Sequence, residues 1–262
     1  MPISLTPFKS EELCYGTTWV VNSEDDLAEQ IARVALGQSR HVQRILAGAD
    51  LGPSPTTASA ADGAIRLLTV VGADPWHRDG WLFQIISWIA AIRADSSAII
   101  RAPHMILAHK GFDGLQLEVD GSTGAVVAAI IFEDKATDNP RSTIRDEVWP
   151  DFRKLEAGDR ENVLTAEVTA LLQTQPAIDP DAAIQNIIWK SVRSYRVSVT
   201  VGDTHSSEGG RKRLFKGYDE IAGGPLARRR GETLYVANLR VWMDEIAKKA
   251  IAAVRAKAST NV

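Results

Sequence analysis

The sequence predicts an α/β fold, a mixed central sheet flanked by helices, and three stretches carry that prediction. From Asp79 to Ala94 the apolar residues Trp81, Ile85, Trp88, Ile89 and Ile92 recur at the spacing of a helix with one buried face. From Leu115 to Phe132 an alternating segment, a turn and a wholly apolar segment describe a hairpin whose second strand is covered on both faces. Tyr195 to Val201 (YRVSVTV) alternates and is β-branched, so the sheet resumes after intervening helices. With 262 residues, 45% hydrophobic and 24% charged, the chain is neither fibrous nor disordered and has length enough for a substantial core.

The elements follow in order. The start, Met1 to Pro7, has neither the basic residues nor the apolar run of a secretion signal, so export is not expected. Ser23 before Glu24, Asp25 and Asp26 is an N-cap with acids at the positive end of a helix dipole, and Leu27, Ile31 and Val34 continue that helix to Gly37. A second helical stretch covers Arg40 to Leu46. The loop Gly52-Pro53-Ser54-Pro55-Thr56-Thr57 sets the expected boundary between a small helical N-terminal segment, residues 1–60, and a main domain, residues 61–262. The longest apolar run, Trp81 to Ile92, is interrupted by Gln84 and Ser87 and is shorter than the roughly 20 residues a bilayer needs, so no membrane span is expected. A strand is expected near Met105–Ala108. Helices are expected around Ser142–Leu155, Glu161–Gln173 and Asp181–Ser194, then a short strand near Thr233–Val236 and a C-terminal helix with Leu239, Met243, Ile246, Ala250, Ile251 and Val254 on one face. The only cysteine, Cys14, excludes an internal disulfide and a thiolate zinc cluster, fits a reducing cytoplasm, and is expected as a buried small residue.

Charge points to chemistry at the ends of the hairpin. Asp113 precedes its first strand, and Glu133, Asp134 and Lys135 end its second. Residues two apart on a strand share a face, so Glu133 and Lys135 project together. Whether Asp113 joins them depends on register. A loop of odd length, Gly121–Thr123 or Asp120–Gly124, pairs residues whose numbers sum to 244, setting Gly111 opposite Glu133, Asp113 opposite Ile131, and Asp113 diagonal to Glu133 at roughly 7–8 Å. A four-residue loop without a bulge puts the two acids on opposite faces. Two carboxylates with a main-chain carbonyl at Asp134 form an all-oxygen site suited to Mg²⁺ or Mn²⁺. A metal there would activate water and stabilise charge on a phosphate, with an ammonium beside it.

Gly111-Phe112-Asp113-Gly114, a hairpin, then Glu133-Asp134-Lys135 resembles the core of the PD-(D/E)xK nucleases, the restriction-endonuclease-like fold. The leading proline of the family name is absent, Phe112 standing before Asp113. The resemblance implies that Asp113 and Glu133 bind the metal, that Lys135 positions the attacking water, and that the chain is a Mg²⁺-dependent nuclease acting on nucleic acid, DNA foremost. The setting also resembles nuclease subunits of bacterial anti-phage systems such as Hachiman, which implies a defence effector working with a helicase subunit. Two other readings stay open: an ordinary ion pair in an α/β domain, and a non-catalytic DNA-binding or scaffold subunit that keeps the fold.

Net charge is −3, but the stretch from His205 to Gly231 holds seven basic residues against three acidic ones, +4, leaving −7 elsewhere. Arg211, Lys212, Arg213, Lys216, Arg228, Arg229 and Arg230 are thus candidates for phosphate contact, with a solvated glycine-flanked loop as the equal alternative. Arg145, Arg153 and Lys154 are weaker candidates, being equally suited to pair with Asp146 and Glu156. His109, four residues before Asp113, and Glu167 are weighed as additions to the site, against a hydrogen-bonded loop histidine and a solvated helix acid.

Overall fold

A computed structural model of the chain describes residues 1–10, 12–52, 54–107, 111–173, 175, 178–188 and 192–259. Its strands are β1 (Ile3–Ser10), β2 (Cys14–Val21), β3 (Ile99–Ile100), β4 (Gly114–Val119), β5 (Val126–Lys135), β6 (Arg193–Val201) and β7 (Arg229–Tyr235). They form one seven-stranded mixed sheet in the order β1-β2-β7-β6-β5-β4-β3. The inner strands β2, β7, β6 and β5 are parallel, while β1 and β4 run against them. The carboxyl ends of four strands therefore open at one edge of the sheet.

The helices are α1 (Glu24–Ala35), α2 (Ser39–Leu46), α3 (Ala58–Leu68), α4 (Trp76–Ala94), α5 (Pro140–Thr143), α6 (Trp149–Ala157), α7 (Glu161–Leu172), α8 (Pro180–Ile188), α9 (Asp203–Ser206), α10 (Glu208–Leu214), α11 (Tyr218–Ile221) and α12 (Leu239–Ser259). α1–α4 and α12 cover one face of the sheet with a core that includes Leu27, Trp81, Ile130, Phe132 and Met243. α6–α8, α10 and α11 cover the other over Leu115, Ile131, Phe152, Tyr195 and Val197. In β5 the even residues Ile130 and Phe132 enter the first core and the odd residues Ala129 and Ile131 the second, the period-two alternation of a doubly covered strand.

The Ser23 cap forms as expected, its hydroxyl accepting from the Asp26 amide at 3.1 Å. Four expectations differ. Residues 1–60 are not simply a helical segment, because β1 and β2 form a hairpin that adds to the central sheet along β7, and Ile3, Trp19 and Leu27 share a core with Trp81. The strand before the hairpin is Ile99–Ile100, paired with Gln116 and Leu117, while Met105–Leu107 are bends and turns; Ala108 lies outside the described residues. The Trp81 indole N–H donates to the His104 carbonyl at 2.6 Å, fastening the chain there to α4 instead of to the sheet. α4 is buried on nearly every side, not along one stripe, since it lies between the sheet and α1–α3. The last strand begins four residues early and takes in the arginine run Arg229-Arg230.

α5 and α6 form one helical run joined by a π-helical turn over Ile144–Val148, with Trp149 N–H bonding the Ile144 carbonyl. Pro150 explains it: a proline clashes with the carbonyl four residues back and cannot donate, and a widened turn absorbs both defects. Among the described residues no helix is long and apolar enough to cross a membrane.

β2 and β7 touch through Gly16 and Gly231, and a Cβ on Gly16 would stand 1.6 Å from the Gly231 carbonyl oxygen. Gly16→Ala is expected to cost about 3 kcal/mol in urea unfolding, since backbone cannot yield as a side chain does. Gly121→Ala, which meets open space, is expected to stay within about 0.5 kcal/mol. Equal midpoints for the two variants would contradict this packing.

Candidate active site

The hairpin register decides which charges meet. The β4–β5 loop has four residues, Gly121 to Gly124, closed by the Asp120 amide donating to the Ala125 carbonyl at 2.9 Å. The Asp120 carboxylate accepts from the amides of Ser122 and Thr123, both at 2.9 Å, and Gly124 takes a left-handed φ of 70°. Val119 pairs with Val126, but Glu118 pairs with Ala128, so Val127 is an inserted residue and the strand is bulged. Beyond the bulge paired numbers sum to 246, not 244, as Gly114↔Phe132 and Leu115↔Ile131 show. The expected pairing is thus off by two residues, because loop and bulge add differently from a simple odd loop. The ladder ends at Gly114↔Phe132, one residue short of Asp113, and Phe112 joins Leu115 and Leu117 in the second core, so the alternation of β4 does not carry through Asp113.

Asp113 is held at that strand end by two donors. The Asp134 amide donates to one carboxylate oxygen at 2.8 Å and the Gln84 side-chain amide to the other at 2.6 Å. Burial raises its pKa, against those hydrogen bonds and the charge of Lys135. Glu133 is pushed up to about 8, by burial first and by the Asp113 charge second. Lys135 Nζ lies 3.4 Å from Glu133 and 3.7 Å from Glu147. Burial pulls its pKa down, but the Glu133, Asp113 and Glu147 carboxylates outweigh burial and hold the ammonium above its usual value. Glu147 comes from the π-helical turn.

Asp134 is not with them. Its side chain turns to the other face of β5, where Ser87 donates to it at 2.6 Å and Ser87 meets Ser198 at 3.3 Å. Burial raises it to about 7 against the charge of Arg196, which is itself buried over the rings of Phe132 and Trp19. Only the main chain of Asp134 faces Asp113. Its amide reaches Asp113, while its carboxylate is kept from joining those of Asp113 and Glu133.

Among the described residues no three His, Cys, Asp or Glu side chains form a ready metal cage. The donor chemistry nevertheless fits a hard divalent cation. Two carboxyl groups lie beside a main-chain segment, a cation there would favour loss of the Glu133 proton, and Mg²⁺ typically takes one or two protein carboxylates and keeps its waters. Asp113, Glu133 and the Asp134 carbonyl would hold it.

Asp113 and Lys135, but not Glu133, line a cavity of about 840 Å³, walled by α4, the segment after β5 and the π-helical turn. Arg240 closes one side, bonded to the buried Asp79 at 2.6 Å and to Asp138 at 3.3 Å. Sequence reasoning missed Gln84, Ser87 and Glu147. For the first two a signal existed: they are the polar interruptions in the apolar run of α4, three residues apart and so on one side of the helix. Glu147 carries no such mark.

The basic candidates divide. Arg229 is buried and donates to the carbonyls of Glu12, Leu13, Ala222 and Gly224. Arg228 binds Glu156 at 2.7 Å and the Arg193 carbonyl at 2.8 Å, and Arg230 binds Glu118 at 3.2 Å and the Tyr15 hydroxyl at 3.1 Å. Buried Arg229 is corrected to a structural residue, while Arg228 and Arg230 are half-buried and engaged in holding the sheet. Arg211 donates to the Ser206 carbonyl and lies over Phe8, while Lys212, Arg213 and Lys216 are exposed. α10 follows the carboxyl end of β6, and the Leu214 and Lys216 carbonyls accept from Arg141 of α5 at 2.9 and 3.0 Å, so this cluster shares the sheet edge with the acids. Glu167 is paired with Arg101, and Arg145 with Asp146, outside the acid cluster. His109 lies outside the described residues. Cys14 is buried, which pushes its thiol up to about 12.

A raised carboxyl pKa has a defined sign. Between the ordinary value of 4.5 and about 8, Glu133 keeps its proton in the folded protein but loses it in the unfolded chain. The unfolded chain then binds fewer protons, so stability falls as pH rises through that window. In chelator, Glu133→Gln is expected to melt above the wild type at pH 8, with the gap closing by pH 4. A gap independent of pH would mean that Glu133 is not the buried acid described.

Comparison of the chain with protein-family models, with curated proteins and with solved structures finds no match, so the reading of this site rests on its own chemistry.

Proposed function

We propose that the protein is a divalent-metal-dependent nuclease that hydrolyses phosphodiester bonds of nucleic acid, DNA foremost, at the carboxyl edge of its sheet. The observation that carries this reading is the gathering of Asp113, Glu133 and Lys135 at one strand end, where Asp113 and Lys135 line a large cavity. Mg²⁺ bound there would lower the pKa of a water and stabilise negative charge on the phosphate. The chain's own residues do the rest. Gln84 and the Asp134 amide fix the Asp113 carboxylate, and Glu133 and Glu147 hold the Lys135 ammonium within reach of a developing negative charge. Lys212, Arg213 and Lys216 supply the flanking phosphate contacts.

Purified protein is expected to cut DNA, supplied both as single strand and as supercoiled plasmid, with Mg²⁺ and not in chelator. Asp113→Asn, Glu133→Gln and Lys135→Ala should each lower the rate about 100-fold or more. Activity surviving all three substitutions, or indifferent to metal, would reject the site; retardation of DNA without product would favour the binding-subunit alternative.

Replacing Lys212, Arg213 and Lys216 together by alanine is expected to weaken duplex binding evenly across sequences. It should flatten the dependence of log K on log salt by about 0.9 per lost phosphate contact. Arg229→Ala should instead lower the melting temperature, because its carbonyl partners lose their donor. A salt slope unchanged in the triple variant would move the phosphate track elsewhere.

A further inference from the structure

One stripe of α4 faces the cavity and is built unlike the rest of that helix. Trp76, Gly80 and Gln84 lie one turn apart along it, and all three line the cavity. From Arg78 to Ile92 every residue of α4 is buried except Gly80 and Gln84. Gln84 has its task, holding Asp113 at 2.6 Å. The other two residues lack a packing reason. Trp76 is 67% exposed at the mouth, an indole left in water. Gly80 sits in a helix interior, where glycine weakens the helix relative to alanine. Its backbone has no positive φ and a Cβ there would meet nothing within 4 Å, so neither a turn nor a close approach calls for glycine. The missing side chain leaves a slot between the indole and Gln84.

We infer that Trp76 and Gly80 form a stacking slot for one unpaired nucleobase, so that the substrate is single-stranded or frayed nucleic acid. A tryptophan is a stacking platform for any base because every base has a π-face. The first turn that carries it is fixed by the Asp74 carboxylate accepting from the Trp76 amide at 2.9 Å, so the ring stands on a rigid element. Charge selects the base over the backbone. Among the charged residues lining the cavity the acids Asp113, Asp138, Asp146 and Glu147 outnumber the cations Lys135 and Arg240, a balance that disfavours phosphate and is indifferent to an uncharged base. A base in the slot leaves its phosphate to reach the metal side at Asp113 and the cluster on α10. A duplex cannot enter this way without unpairing. The placement of the slot beside the cleaved bond rests on the nuclease reading; the recognition of an unpaired base does not.

The test uses the full chain and fluorescence anisotropy of a labelled oligothymidylate and of a blunt duplex of equal length, in chelator, so that binding is read without cleavage. Trp76→Ala is expected to weaken single-strand binding about tenfold while leaving duplex binding unchanged, and Trp76→Phe to recover most of the loss. Gly80→Ala is expected to raise the melting temperature and yet weaken single-strand binding, a combination that a merely structural glycine would not give. Undiminished single-strand affinity in Trp76→Ala, or equal losses for single strand and duplex, would overturn the inference. Cleavage in Mg²⁺ is scored separately. A wild type that cuts while Trp76→Ala binds and cuts single strands normally keeps the nuclease and loses the slot; one that binds single strands through Trp76 and never cuts keeps the slot and loses the nuclease.

Discussion

Val127 is the residue on which the arrangement of charges depends. A four-residue loop pairs residues with an odd sum, and in that register Asp113 would lie on the opposite face of the hairpin from Glu133 and Lys135. One inserted residue in β5 shifts every pairing beyond it by one, which sets Gly114 opposite Phe132 and leaves Asp113 beside the Asp134 amide at the strand end. The apolar alternation of the strand pins the result, since Ile130 and Phe132 fit only the core under α4, and Ala129 and Ile131 only the opposite one. The cores on the two sides of the sheet thus hold in place an arrangement of acids that electrostatics alone would disperse, Glu133 under the influence of the Asp113 charge with the Lys135 ammonium 3.4 Å away.

Arginine plays two parts here, and local sequence does not separate them. Arg229 and Arg230 look like a surface run, yet a strand position turns successive side chains to opposite faces and both are drawn inward. Arg229 then satisfies four carbonyls where β7 meets the turn after β1, a task suited to a planar fork of donors. On the short helix α10 the same residue type points outward.

Much of this was legible in the sequence. The hairpin, the Ser23-capped helix, the strand Tyr195–Val201 and the C-terminal helix all announce themselves through period and capping, and Asp113, Glu133 and Lys135 stand where a hairpin must end. What stayed hidden was nonlocal. The hairpin β1–β2 is weakly alternating because its partner, β7, lies over two hundred residues away and supplies what the local pattern lacks. The position of Asp134 between Glu133 and Lys135 already sets its side chain on the other face, but its partner there, Ser87, is supplied only by the packing of α4. Gln84 and Ser87 were visible as interruptions, but only the packing of α4 against β5 gives those interruptions a destination.

The junction of β2 with β7 also governs how the chain can be made. Tyr15 to Trp19 find their partners in Arg230 to Leu234, so the first hairpin leaves the ribosome long before the strand that completes it. Until then its inner edge offers free amides and carbonyls to any passing strand. Closing so distant a pairing carries a large loop-entropy cost and slows folding. The sheet can be zipped shut only after β7 has emerged, which leaves the β1–β2 hairpin in need of shelter until then.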